Sequence, residues 1–540
     1  MSGTLRLGEA RALSRRLAVV PDRLDLYAAL SDCGRCTDTM LLETLAGPGM
    51  ILEKAAVRIE CRGRDVTIEA LSANGENLLE FAAAALSGRV AQRSRSTLEL
   101  RFDRPSGDEA QARLLASSPF DALRTLTAGM RSLTPEEPFT LCAPGIVAFD
   151  HVDLFEDLPA AAHDPLGFPD FLFWIAETLI LFEPGGAPRI LSTAFGSEDP
   201  DRSQRAHFEA IERLGALAKA CGEASNLRSS PAKSRSAGID SSDAPLDYAR
   251  DERVAESARS QIEVDLDDGA YAAVVSDMKA HILAGDVYQI VPSRTFSAPC
   301  PDPLAAFAAA RRLDPSPYMF FVSGPEHILF GASPETSVRV GAGIVEVKPI
   351  AGTRRRGATP DEDDRMEADL RLDGKEVAEH MMLVDLARND VARVSEPGTR
   401  RVAGLMSVER YARVMHLVSS VQGRLARGLD AFHALQACLN VGTLSGAPKL
   451  KATQLLRQAE ATKRGPYGGA VGWVNGAGAL DSGVVIRSAV VKDGTAFVRA
   501  GAGVVYDSDP AKEADETRRK ASAILSAIAA SQPERREAAE

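Results

Sequence analysis

Long apolar runs are missing from this chain. No stretch approaches the roughly 20 residues that a membrane-spanning helix needs. The N-terminal MSGTLRLGEARALSRRL carries scattered charge where a signal peptide would have an apolar core. The expectation is a cytoplasmic protein with no membrane partner. An excess of positive charge is missing too. Sixty-three Lys and Arg stand against 75 Asp and Glu, a formal net charge of −12. Neutralising a phosphate backbone needs a basic surface, so no nucleic-acid partner is expected. A local basic pocket for a small anion remains open. Cysteine is also sparse: seven in 540 residues do not make a disulfide framework. Cys33 and Cys36 form a C-x-x-C in SDCGRCTD, but no second pair completes a zinc site. These thiols read as structural or incidental.

What is present reads as an ordinary globular chain, 45% hydrophobic and 26% charged. Its 540 residues suffice for three or four average domains or two large ones. Residues 222–258 are rich in Ser, Ala, Asp, Arg and Pro and poor in large apolar residues. Such a segment cannot bury enough surface to order itself and is expected to be a flexible linker. It separates residues 1–221 from residues 259–530, and SQPERREAAE at 531–540 is expected to fray. Upstream, AAVRIECRGRDVTIEAL predicts two strands and a turn, and FLFWIAETLILFEP a buried strand. Downstream, YAAVVSDMKAHILAG has helical periodicity and VYQIVPSRTFSA turns strand-like. Strands and helices mix without a regular βαβ repeat, which predicts an α+β fold.

Two acidic pairs carry the first chemical signal. In RAGAGVVYDSDPAKEADETRRKA a glycine turn is followed by a helix start, with Ser508 or Asp509 as N-cap and Pro510 in the first turn. Glu513 and Glu516 lie three apart on that helix, so they share a face. In DGKEVAEHMMLVDLARND, Glu376 and Glu379 repeat the pattern. Four carboxylates in one pocket would repel strongly without a cation, and a hard divalent ion such as Mg²⁺ would resolve this. Convergence of the pairs cannot be read from spacing. Either pair alone also fits a solvated surface.

Four glycine-rich stretches accompany the pairs: PIAGTRRRG, NVGTLSGAPK, KRGPYGGAVGW and RAGAG. They predict turns whose backbone N–H groups can approach an anion. None has the spacing of a nucleotide phosphate loop. Arg487 in VVIRSAV is a charge within an apolar strand-like run, either pairing with an anion or reaching solvent along its stem. Tyr467 could donate to the same anion. His416 in YARVMHLVSSV is either a satisfied core histidine or a functional one. Glu335, after Pro334 at a turn, is either an exposed glutamate or a general acid in a dry pocket.

Eight runs occurring in order resemble the chorismate-utilising enzymes, most closely anthranilate synthase component I. They are PSPYMFF, FGASPE, PIAGTR, AEHMMLVDLARND, RYARVMHLVS, GTLSGAPK, RGPYGGAVG and AGAGVVYDSDP with its following KEADET. The resemblance implies an α+β fold with two facing antiparallel sheets, outer helices and the site between them. It makes 259–530 the chorismate-binding catalytic domain and 1–221 an N-terminal regulatory α+β domain. It further implies Mg²⁺ as cofactor, with Glu379 and Glu516 as direct ligands and Glu376 and Glu513 acting through water. Gly501, Ala502 and Gly503 would offer N–H groups to substrate. Arg487 and Tyr467 would hold the enolpyruvyl carboxylate, with Gly352, Thr353, Thr443 and Lys520 completing the site. Glu335 would be the acid for the departing C4 hydroxyl, and His416 would act in the later pyruvate elimination.

Single residues then narrow the chemistry the resemblance implies. Relatives that use a lysine nucleophile carry it in PIKGT, where this chain has Ala351. Isochorismate-forming relatives carry a water-activating Lys where this chain has Gln289, and an amide is no base at neutral pH. The nucleophile is therefore expected to be external ammonia. No glutaminase-like segment appears, so a separate glutamine amidotransferase subunit is expected, in a heterotetramer of two large and two small subunits. LLETLAGPGM and PSPYM resemble the L-tryptophan site of feedback-inhibited members and assign Thr44, Pro317, Tyr318 and Met319 to it. Thr44 stands where serine is usual, and its extra methyl is expected to weaken inhibition. A synthase that stops at 2-amino-2-deoxyisochorismate and an idle tryptophan-sensing paralogue are the alternatives.

Overall fold

The computed structural model describes residues 4–18, 22–45, 47–104, 110–226, 262–411 and 414–532. The helix Pro200–Asn226 takes up the first five residues of the expected linker. The rest of that linker, and the tail beyond residue 532, lie outside the described residues.

Among the described residues, 23 strands join one hydrogen-bonded network, and Gln289–Ile290 pairs with Gly446–Ala447 in a separate ribbon. One arm of the network runs from Ser293–Pro299 through Thr495–Gly501, Ser488–Lys492 and Ile328–Ser333 to Tyr318–Ser323. The other runs from Ala470–Asn475 through Leu480–Val484, Thr336–Gly341 and Ile344–Val347 to Val414–Arg424. Ile350–Arg355 and Arg401–Arg410 both pair with Val414–Arg424. Four strands from the first half of the chain bridge the arms: Thr39–Thr44, Gly49–Arg62, Phe171–Phe182 and Cys142–Val147. All these pairings are antiparallel, and helices pack outside them, so the class is α+β as expected. The two expected sheets are two arms of one network, because N-terminal strands continue the ladder between them.

The local sequence explains the main elements. All 12 residues of Phe171–Phe182 are buried, which suits a run with no polar face at the centre of a sheet. Gly63, at φ +61°, turns Gly49–Arg62 into Asp65–Ala70. The helix Gly374–Ala392 packs on Ile350–Arg355 and Val414–Arg424, and Pro510–Ala530 packs on Thr495–Gly501. Each arm thus carries one of the two glutamate-bearing helices. Two sequence expectations change. PIAGTR is a strand rather than a turn, with a register shift between Ala351 and Thr353 that places Gly352 at φ +69°. Arg487 is not inside a strand: it sits at φ +47° between Leu480–Val484 and Ser488–Lys492, where the chain crosses between arms. Apolar neighbours make VVIRSAV look continuous, but a left-handed residue cannot continue a strand.

Candidate active site

The first glutamate helix is fixed at its start. Asp373 caps it, accepting the N–H groups of Lys375 and Glu376 at 3.0 and 3.2 Å. Arg354 donates to Asp373 at 2.7 Å and to Asp369 at 2.6 Å, tying the neighbouring strand to that cap. A Cβ on Gly352 would fall 2.9 Å from Leu370 Cδ1 and 3.3 Å from Glu376 Oε2. Glycine therefore permits both the left-handed backbone and the close approach to Glu376. The second helix is capped by Asp509, with Pro510 opening it.

The two carboxylate pairs meet. Burial raises the pKa values of Glu376, Glu379 and Glu513, and the charge of Glu516 pushes each in the same direction. Glu516 is only half-buried, and Lys520, whose Nζ stands 2.8 Å away, holds its carboxyl below the usual range against the opposing effect of that burial. Lys375 favours the ionised form at all four positions. Among the described residues, no group of three or more His, Cys, Asp or Glu is arranged to hold a metal by itself. A Mg²⁺ site need not be such a cage: the ion keeps waters and commonly takes one or two carboxylates plus an anionic substrate group. The collected like charges, partly offset by two lysines, fit that donor chemistry.

The glycine turn lies against the same carboxylates. Lys520 Nζ donates to the Gly501 carbonyl at 3.0 Å. A Cβ on Gly501 would stand 2.7 Å from the Pro292 carbonyl oxygen and 3.1 Å from the Tyr467 hydroxyl. A Cβ on Gly503 would stand 3.0 Å from Gln289 Nε2 and 3.9 Å from Glu379 Oε1. Ala502 departs from the expectation of a free donor. Its N–H is shared between the Pro292 carbonyl and the Tyr271 hydroxyl, both at 3.3 Å, because the turn is stitched to the segment behind it.

Glu335 occupies the turn between Ile328–Ser333 and Thr336–Gly341 and is 7% exposed. Thr443 Oγ1 donates to Glu335 Oε1 at 2.6 Å. Burial pushes the carboxyl up to about 7, against the smaller opposing pull of Thr443 and of the Lys520 charge. A carboxyl poised near neutrality can hold and release a proton at working pH. Glu335 is thus a buried residue of that turn and not an exposed one.

His416 lies on Val414–Arg424 opposite Thr353. Its Nδ1 stands 3.1 Å from the Gly352 carbonyl oxygen and 3.0 Å from Thr353 Oγ1. A carbonyl only accepts, so Nδ1 carries the proton and Nε2 is the acceptor nitrogen. Burial lowers the imidazole pKa, and the nearby Arg487 guanidinium pushes the same way. Gly352 therefore lies between His416, which feels the Arg487 charge, and Glu376, and Lys520 bonds Glu516 and Gly501 while its charge reaches Glu335. All the sequence-predicted catalytic, substrate and metal positions fall in one connected neighbourhood.

Two cavities flank this neighbourhood. A small one is lined by Glu335, Thr443, Gly442, Leu386 and Asp390. A larger one, of about 600 Å³, shares Leu386 and Asp390 and adds Met382, Gln436 and Lys449. The larger cavity is separate from the carboxylate pairs, and Lys449 Nζ bonds Asp390 at 2.8 Å in its wall.

A second constellation lies where the two halves of the chain pair. Thr44 is directly opposite Tyr318, and Glu43 opposite Met319. The Leu45 N–H donates to the Pro317 carbonyl at 3.1 Å. Tyr318 donates to Asp481 Oδ1 at 2.6 Å, and Arg339 pairs with the other oxygen of Asp481 at 3.1 Å. The Thr44 hydroxyl is buried without a partner. Asp481 and Arg339 were not anticipated, nor was Lys375, whose one sequence signal is a cation in a helix's first turn where an anion is favoured. Cys33 and Cys36 are exposed free thiols.

The fold and these carboxylate-rich surroundings belong to a described class. Residues 82–526 match the chorismate binding enzyme family, and the chain belongs to that family. Its similarities are more specific than that. It is 43% identical to anthranilate synthase component 1 of Vibrio cholerae serotype O1, over 96% of each chain. It is 44% identical to the pyocyanine-specific anthranilate synthase component 1 of Pseudomonas aeruginosa, over 89% of this chain and 87% of that one. The crystal structure of anthranilate synthase component I from Streptococcus pneumoniae TIGR4 superposes with a TM-score of 0.66 at 30% identity, covering 89% of this chain and 93% of that one. Among the described residues no helix is long and apolar enough to cross a membrane.

Proposed function

We propose that this chain is the large subunit of an anthranilate synthase, converting chorismate and ammonia to anthranilate, pyruvate and water. The observation that carries the reading is Glu335: a buried carboxyl pushed up to about 7, held by Thr443 and linked through Lys520 to four converging glutamates. Ammonia's lone pair forms the C2–N bond, the ring π electrons shift, and the C4–O bond breaks. Glu335 gives its proton to that hydroxyl, which leaves as water. His416, neutral and with Nε2 open as acceptor, takes the C2 proton while the C3–O bond breaks and the ring becomes aromatic; the enolpyruvate that leaves takes up a proton at its methylene carbon to give pyruvate. Arg487, Tyr467, Lys520, Thr353 and the backbone of Gly352, Gly501 and Gly503 hold and orient the dianionic substrate. Mg²⁺ held by Glu379 and Glu516, with Glu376 and Glu513 reached through water, would supply positive charge for the ring carboxylate.

With Ala351 and Gln289 at the positions where relatives place lysines, the nucleophile comes from outside. A glutamine amidotransferase subunit is its proposed source, in a complex of two large and two small subunits. The cavity backing onto the Glu335 pocket through Leu386 and Asp390 supports a delivery route from that side. L-tryptophan is the proposed inhibitor, bound between Thr44 and Pro317–Met319, where the buried unpaired Thr44 hydroxyl is available to a ligand. The Pseudomonas relative's name gives a second reading, in which the same chemistry feeds a specialised product.

The deciding experiment supplies purified chain with chorismate, Mg²⁺ and ammonium, and follows anthranilate fluorescence. Anthranilate appearing only with both additions supports the reading. An amino intermediate without anthranilate favours the truncated synthase, and unchanged chorismate removes the reading altogether.

A further inference from the structure

Behind the glycine turn lies a buried pair that the proposed chemistry does not use. Arg294, in Ser293–Pro299, is 1% exposed, and Tyr271, in Asp268–Leu283, is fully buried. The guanidinium carbon stands 5.0 Å from the Tyr271 ring centre, a cation–π distance. Arg294 reaches forward to the second glutamate helix. Its Nε donates to Thr517 Oγ1 at 2.8 Å and its Nη2 to the Ala514 carbonyl at 2.8 Å. Ala514 and Thr517 directly follow Glu513 and Glu516 in sequence. Arg294 is anchored behind by the Leu266 carbonyl at 2.9 Å and by Asp268 at 2.8 Å. The Tyr271 hydroxyl reaches the other way, donating to the Pro292 carbonyl at 2.8 Å and accepting the Ala502 N–H at 3.3 Å.

We infer that Tyr271 and Arg294 form a positioning pair in which the Tyr271 hydroxyl seats the glycine turn and the Arg294 guanidinium seats the helix carrying Glu513 and Glu516, each from behind. This rests on reading those two elements as opposite sides of a substrate and metal site. The physical reason is the geometry of the pair. A planar guanidinium with a fixed fork of donors holds its four acceptors in one arrangement. The ring stacked on it shares that fixed base, and its hydroxyl holds the turn through contacts of its own. Shifting either element breaks hydrogen bonds of buried polar groups, which is costly where water cannot replace them. Both side chains are buried and taken up by these protein partners, so each acts through the element it holds.

Two conservative variants separate the two arms of the pair. Tyr271→Phe keeps the ring on Arg294 and removes only the hydroxyl. Amide exchange across 499–505 should quicken, and KM for chorismate should rise about three- to tenfold, with kcat within about twofold. Affinity for Mn²⁺, titrated calorimetrically at saturating chorismate with ammonia absent, should not change. Thr517→Val keeps the volume and removes the Nε acceptor on the helix. It should weaken Mn²⁺ binding about three- to tenfold and leave exchange at 499–505 unchanged. Both quantities moving together in each variant, or a lowered Tm with neither moved, overturns the pair as a positioning device. A wild-type chain that forms no anthranilate sinks the functional reading instead, and the exchange rate at 499–505 still reports the Tyr271 contact.

Discussion

Thr443 donates a hydrogen bond from its hydroxyl to Glu335 Oε1 at 2.6 Å, so one neutral side chain bears directly on the proton affinity of the buried carboxyl. Burial raises that affinity, and Thr443 opposes it by favouring the carboxylate.

The first prediction follows from that opposition. At constant free ammonia, kcat/KM should fall as pH rises through about 7, where Glu335 of the free chain loses its proton. Thr443→Ala removes the stabilising donor, so the falling limb should move to higher pH; a limb moving lower excludes Glu335 as the acid. Stability has its own sign. The folded pKa lies above the ordinary glutamate value of 4.5, so the folded state binds the extra proton and loses stability as pH rises from that value to about 7. Glu335→Gln should therefore stabilise the chain at pH 8, by up to the order of 3 kcal/mol, with little gain at pH 4. Melting curves at the two pH values measure this.

The second prediction concerns the glutamates. Glu379→Ala and Glu516→Ala should each abolish turnover at saturating Mg²⁺, while circular dichroism shows an unchanged fold. Loss of one like charge relieves repulsion, so Tm should hold or rise in Glu379→Ala. Chelation of the wild-type chain should remove activity, and added Mg²⁺ should restore it. Wild-type rates in either variant would sink the ligand assignment.

His416 is expected to separate the two half-reactions. His416→Ala should still aminate chorismate and should accumulate the amino intermediate, visible by chromatography. A folded variant that consumes no chorismate would give His416 a binding or packing role.

Regulation should respond to a single methyl group. Thr44 faces Tyr318 across a ladder, and its hydroxyl is buried without a partner. Thr44→Ser keeps the hydroxyl and removes the crowding, so half inhibition should need less L-tryptophan. An unchanged or higher requirement removes Thr44 from the effector site.

The nitrogen source gives the last prediction. The chain alone should use ammonium and not glutamine. Adding a glutamine amidotransferase subunit should switch on glutamine-dependent activity and bury roughly 1,600 Å² or more. Glutamine-dependent turnover by the chain alone, free of contaminating glutaminase, refutes the separate subunit.

The class, a handful of helices and strands, and the side chains able to react were all legible in the sequence. Periodicity and caps placed the two glutamate pairs on helix faces, because 3.6-residue spacing and a capping Asp are local physics. Glu335 at its turn was equally local. The tertiary structure decided what those residues face. That Glu379 meets Gly503, that Lys520 serves both Glu516 and Gly501, and that Glu335 is dry depend on contacts between distant segments. Arg487 shows the limit most clearly. Its apolar neighbours predicted a strand interior, yet the fold needed a crossing point between two sheet arms and put the residue in a left-handed bend. Tyr271 and Arg294 carried no sequence signal, since a buried arginine is recognisable only by the carbonyls and the ring that surround it. Local periodicity fixes which face a residue occupies, and only long-range pairing fixes what lies opposite.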